Sequence, residues 1–350
     1  MLLKPNYFFL ILLLLAGGIT GWIVKEKSVV VPSSAIMSVT GPVSGKLGVT
    51  LPHEHVLVDF IGADQVNPNR YNPDEVFVKV MPYLQKLRQQ GCETLIECTP
   101  AYLGRDALLL QRLSRASGLT ILTNTGYYGA GQGKYLPKHA FTETAEQLSG
   151  RWVKEAEQGI DSTDIRPGFM KISVDAGPLT TVNEKLVKAA ALTHVKTGLT
   201  IASHTGNGEA ALAQLKILQE NGVAGKAFIW VHAQNEQNSQ IHQQAAQAGA
   251  WIEFDGINSN NIPEYVQFLR NMKTAGLLKR VLISQDAGWY HVGEPKGGEF
   301  RNYETLFTAF LPALKVAGFS QAEIKQLLET NPKQAFTPGL KSLAKNKQKE

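Results

Sequence analysis

The sequence predicts one closed (β/α)₈ barrel, a TIM barrel, over residues 35–340. Two observations carry this. After residue 35 the chain repeats one rhythm: a short apolar or β-branched run, a loop, then a helical pattern. That rhythm occurs eight times with no composition shift or Gly/Ser linker to mark a second domain, which favours a parallel barrel. An open doubly wound sheet uses the same alternation and is the alternative.

Strands are expected at 48–52, 93–98, 119–124, 168–174, 200–204, 227–232, 250–254 and 281–284. Between them the helix signals are legible. Asn72-Pro73 supplies an N-cap and a first-turn proline for a helix ending near Gln90, with a kink expected at Pro82. Gly91, Gly118 and Gly198 sit where a left-handed residue closes a helix. Leu186, Val187, Ala190 and Ala191 repeat at helical spacing within 183–197. Ser320-Gln-Ala-Glu323 is a capping box opening the last helix. Cys92 and Cys98 lie in one apolar run, GCETLIECTP, where one strand face would carry both. That is a poor geometry for a disulfide, so both are expected as buried thiols.

The net charge of +5 is misleading. Lys4, Lys25 and Lys27 against Glu26, with Lys341, Lys345, Lys347 and Lys349 against Glu350, account for all of it. The body is close to neutral, which argues against a nucleic-acid partner. Residues 341–350 are expected to be a solvated basic tail. Residues 1–34 hold the apolar run 7–24, FFLILLLLAGG at its centre, behind Lys4. This is the pattern of a signal peptide or an uncleaved signal anchor; a buried core helix is the alternative. The chain is therefore expected to be exported, periplasmic or secreted, with attachment to a membrane through residues 7–24 left open.

Four of the eight histidines fall at the ends of expected strands. His53 and His55 stand two apart, so strand alternation turns both inward; His204 and His232 close the fifth and sixth strands. In such a barrel the rim at the C-terminal strand ends holds the active site. One histidine alone reads as a hydrogen-bonded structural residue; four converging on one rim read as ligands. Lys171, in GFMKISV, shares a face with Phe169 and Ser173. An ammonium there is costly unless paired or neutralised, the alternative being a side chain that snorkels outward. Asp286, after the last strand, is either an N-cap or a chemical group. Imidazole and carboxylate suit zinc and similar divalent ions. Two such ions ~3.5–4 Å apart can activate water and polarise a bond. They also repel, so an anion between them is required. A lysine ammonium cannot serve, but a lysine whose amine has combined with carbon dioxide is a carbamate and can.

The ordered set resembles the phosphotriesterase family of the amidohydrolase superfamily along most of residues 40–338. The segments that carry the resemblance are GPVSGKLGVTLPHEH, the GRD of LGRDALLLQRLSRASGL, NTGYY, GFMKISV, IASHTG, FIWVHAQ, VLISQDAGW and TNPKQAF. It implies two divalent ions per chain, expected to be Zn²⁺. His53, His55 and Asp286 would hold the more buried one, His204 and His232 the more exposed one. A CO₂-derived carbamate on Lys171 would bridge them. Asp286 would also orient a bridging hydroxide and pass its proton toward His232. Tyr128 falls where the family places an aromatic wall against the substrate. Gln285 departs from the His or Asn common before the last aspartate, which touches tuning around the ligands rather than the ligands. Asp255, at the end of the seventh strand, and the loops 256–262 and 287–299 are expected to shape the substrate pocket, with Trp289, Tyr290 and His291 as candidate contacts or as surface packing of their loop. The implied activity is hydrolysis of a lactone, carboxylic ester or phosphotriester by attack of the hydroxide. The alternatives are an amide-bond hydrolase of the superfamily and a non-catalytic exported metal-binding barrel. A homodimer stays open.

Overall fold

The computed structural model describes residues 35–43 and 46–342. Residues 1–34, where a signal segment is expected, and the tail beyond Ser342 lie outside the described residues.

Eight strands form the ring: β1 Thr50–Glu54, β2 Thr94–Glu97, β3 Thr120–Leu122 continuing as Asn124–Thr125, β4 Phe169–Val174, β5 Ile201–Thr205, β6 Phe228–Val231, β7 Trp251–Phe254 and β8 Val281–Ile283. Every neighbouring pair is parallel, from Thr50 beside Thr94 to Phe254 beside Ile283. The third strand breaks at Thr123. Its first half pairs with β2 and its second half with β4, so one interrupted strand joins both arcs. The ring closes where Asp286 N–H donates to His53 O (3.1 Å) and His55 N–H to Ala287 O (2.9 Å). All eight expected strands are present, with ends moved by one or two residues. The largest shift is in β1, which begins after Gly48 because that residue is still in a left-handed turn (φ +65°).

Alternate residues along the strands fall into two apolar clusters, as a period of two requires. Ile96, Leu122, Phe169, Ile229, Val231, Trp251 and Leu282 fill the barrel interior. Leu95, Ile121, Met170, Ile172, Trp230, Ile252 and Ile283 pack outward against the helices. Phe336, from the last helix, closes the bottom against Phe169, ring centroids 5.3 Å apart. Cys92 and Cys98 are buried free thiols. They lie in different clusters, because the strand starts at Thr94 and Cys92 precedes it.

Helix α1, Pro73–Gln89, has the expected Asn72 cap and runs unbroken through Pro82. The bond that proline removes belongs to the carbonyl of Val78, a residue 71 % exposed, whose position lets water replace the lost donor. Gly91, Gly118 and Gly198 all have positive φ. Helix α2, Thr181–Thr197, is capped by Thr180. The Ser320 capping box forms with Glu323. Lys341 departs from the expected solvated tail: its ammonium donates to Thr200 Oγ1 (2.9 Å) and Ala335 O (3.0 Å).

Candidate metal centre

Strand ends bring the candidate ligands together. His53 is in β1 and His55 follows it. In a regular strand Leu51 and His53 would share a face. Leu51 belongs to the outer cluster, and a shift in pairing between Leu51 and Glu54 turns His53 inward. Lys171 is the third residue of β4, and its long stem carries Nζ to 3.3 Å from His53 Nε2. His232 and Asp286 follow β6 and β8 in left-handed conformations (φ +62° and +49°). Strain of that kind in non-glycine residues is held only where the surroundings over-determine it.

His53 Nε2 lies 3.3 Å from His55 Nε2, and Asp286 Oδ1 lies 3.6 Å from the first and 3.1 Å from the second. His204 and His232 pack edge to face, ring centroids 4.4 Å apart. His53 and His232 rings are 5.1 Å apart.

Each ring is oriented from behind. Glu253 Oε1 and Asp255 Oδ2 lie 2.9 and 3.1 Å from His53 Nδ1. Thr99 Oγ1 meets His55 Nδ1 at 2.7 Å, and Tyr128 Oη meets His204 Nδ1 at 2.9 Å. Asp255 Oδ1 meets His232 Nδ1 at 2.6 Å. This leaves the Nε2 atoms turned toward the pocket, the usual arrangement around a metal ion.

Burial, with the nearby Lys171 charge, drives the His53 pKa down to about 3. Burial also lowers His55 and takes His204 well below its usual value. Three neutral imidazoles therefore present lone pairs at pH 7. His232 goes the other way, because Asp255 and Asp286 outweigh its burial. Burial would raise Asp286, but the rings of His55 and His53 hold it at about 2. Of the buried acid pair behind the rings, Asp255 stays ionised because His232 and His53 outweigh its burial. Glu253 is pushed well up by burial and by Asp255.

Three features fit a pair of cations. The Nε2 atoms of His53 and His55 face each other with Nδ1 of each already engaged, so without a cation two lone pairs would oppose each other. Asp286 Oδ1 is buried without a well-formed hydrogen bond. Lys171 is 1 % exposed, and among the described residues no carboxylate forms an ion pair with it. A buried lysine without a counter-charge is costly. His53, His55 and Asp286 could hold one ion, and His204 and His232 a second. His53, His232 and Asp255 also cluster. There the carboxylate is already committed, accepting from His232 N–H (2.9 Å) and Gln234 Nε2 (2.7 Å) as well as from the ring.

Asp255 is therefore not placed as a substrate contact. It is fully buried behind His53 and His232, with both oxygens occupied, and its position is that of an orienting group. Asp255→Asn is expected to weaken metal retention about 10–100-fold while leaving KM nearly unchanged, checked by chelator competition and steady-state kinetics. A raised KM with normal metal content would restore the substrate-contact assignment. Trp289 packs against His55 with the rings tilted by 33° and centroids 4.0 Å apart, and Phe60 stacks on Trp289 at 5.6 Å. Among the described residues the Gln285 side chain makes its hydrogen bonds away from the candidate ligands. Its amide donates to Tyr303 O and accepts from Leu306 N–H, tying β8 to the C-terminal segment.

Sequence reasoning missed the carboxylates Glu54, Glu97 and Glu253, all buried. Burial raises Glu54 to about 8 and Glu97 to about 7. Glu97 accepts the N–H groups of Val56 and Thr99 beside His55. The signal was present for two of them, since LIEC and WIEF each place an acid inside an apolar strand.

Comparison with known proteins agrees with this geometry. The sequence pattern of the "Phosphotriesterase family" matches residues 34–336. The "Phosphotriesterase homology protein" of Escherichia coli is 32 % identical over 83 % of this chain and 98 % of its own length. Its solved structure, with phosphate in the active site, has a TM-score of 0.73 at 31 % identity, covering 84 % of this chain and all of that one. The "Aryldialkylphosphatase" of Saccharolobus solfataricus is 26 % identical over 84 % of this chain and 96 % of that protein. The "N-acetyltaurine hydrolase" of Dictyostelium discoideum is 26 % identical over 73 % and 71 %. With the fold and so much of both chains in common, this protein belongs to the phosphotriesterase family.

Proposed function

We propose that the chain hydrolyses a small lactone, carboxylic ester or phosphotriester at a site holding two zinc ions. The observation that carries this is the buried, unpaired Lys171 beside His53. His53, His55 and Asp286 would hold one ion and His204 and His232 the other. Lys171, as its carbamate, would supply the anion between them. When bound, the ions would make a water molecule nucleophilic at neutral pH and polarise the bond to be broken. Asp286 takes up the proton of the attacking water; His232, with Nε2 turned to the ion and Nδ1 held by the ionised Asp255, would serve as a ligand and has no free nitrogen to receive that proton. Tyr128 and the stacked Trp289 and Phe60 form the aromatic side of the substrate pocket.

The Dictyostelium relative favours a second reading, hydrolysis of an N-acyl amide. Both are tested by loading the protein with zinc, measuring metal per chain, and comparing kcat/KM over lactones, aryl esters, aryl dialkyl phosphates and N-acetyltaurine. About two ions per chain and fastest turnover of an ester class are expected. One ion or fewer would overturn the binuclear site. Turnover confined to N-acetyltaurine would select the amide reading, and loaded protein inert on all four would leave a non-catalytic barrel. We further propose that residues 1–34 export the chain. A protein beginning at residue 35 is expected to keep full specific activity and to stay in the cytoplasm, as fractionation would show.

A further inference from the structure

We propose that Glu54 is the positioning residue for Asp286, clamping the backbone on both sides of it. Glu54 stands between His53 and His55, so while those rings face the pocket its own side chain leaves toward β8. There its carboxylate is fully buried. Oε1 accepts from Ser284 Oγ–H (2.8 Å) and Gln285 N–H (3.1 Å), and Oε2 accepts from Ala287 N–H (2.7 Å). Ser284 Oγ in turn accepts His53 N–H at 3.1 Å. The residues before and after Asp286 are thus pinned by one buried carboxyl group, and Asp286 N–H is held by His53 O. N–H groups on both sides of a residue converging on one acceptor fix the backbone turn between them. The turn needs fixing: Asp286, Gly288 and Trp289 all have positive φ. Its one free feature is the carboxylate of Asp286, aimed at His55 and 22 % exposed.

This rests on Asp286 being a metal ligand and proton acceptor. Glu54→Gln keeps the shape but sets an NH₂ against at least one of the three donors. In full-length, zinc-loaded protein the expected results are a folded chain, kcat lower by about tenfold or more with KM within about twofold, and faster zinc loss to a chelator. Glu54→Gln added to Asp286→Asn should cost little more than Asp286→Asn alone, since both act through one group. A Glu54→Gln protein with parental kcat and zinc retention, beside a crippled Asp286→Asn, would overturn the proposal and leave the function intact. An Asp286→Asn protein with parental turnover and zinc content would remove the Asp286 reading and this proposal together. If Glu54→Gln does not accumulate, Ser284→Ala decides. It takes away one donor to Glu54, and with it the acceptor of His53 N–H that ties the clamp to β1, but no charge, so faster zinc loss supports the clamp and parental retention overturns it.

Discussion

Lys171→Ala is expected to lower kcat/KM by roughly three orders of magnitude or more, the scale on which a metal-generated nucleophile contributes. The side chain is fully buried, its Nζ is 3.3 Å from His53 Nε2, and no carboxylate among the described residues neutralises it. As an ammonium it would repel any cation placed among the histidines. As a carbamate, formed when the neutral amine adds carbon dioxide and loses a proton, it would offset repulsion between two ions. Zinc content should fall with activity. The space left by the side chain suits a short carboxylic acid, so acetate or propionate should restore part of the activity of Lys171→Ala and do nothing for the parent protein. Lys171→Glu should recover less, its stem being shorter. A Lys171→Ala protein that keeps two zinc ions and parental turnover would show that the lysine is only a buried cation.

Asp286→Asn is expected to cost about 10²–10⁴ in kcat, the range for a lost proton acceptor, with added loss from weaker metal binding. The substitution is conservative where it should be. Asparagine tolerates the left-handed conformation that Asp286 adopts at φ +49°, so the turn can survive. What disappears is the negative charge beside His53 and His55. Steady-state kinetics together with zinc analysis decide the matter. Turnover within tenfold of the parent, with two ions still bound, would assign the proton acceptor elsewhere.

The barrel was legible because most strands carry an apolar run and most of the long helices begin in a cap or end at a glycine. Strand ends were less legible, since a bulge such as that after Leu51 leaves no mark in a pattern of period two. The candidate ligands stood out because histidines at strand ends fit a barrel rim better than a core. The groups behind them did not. Glu54 lies between two histidines and looked like a spacer. Asp255 ends a strand where a substrate contact is expected, and only its burial against His232 and His53 shows which way it faces.

The ring seals between its first and last strands, where His53 N–H reaches Ser284 Oγ across 231 residues. During synthesis the pocket therefore cannot exist until almost the whole barrel has left the ribosome. A chain stopped before β8 would hold four histidines and a lysine but neither Asp286 nor the clamp around it. Closing so long a loop is slow work for a folding chain, and metal affinity arrives only with closure. The ion that ends up in the protein is accordingly chosen by the supply where folding finishes, not where translation begins.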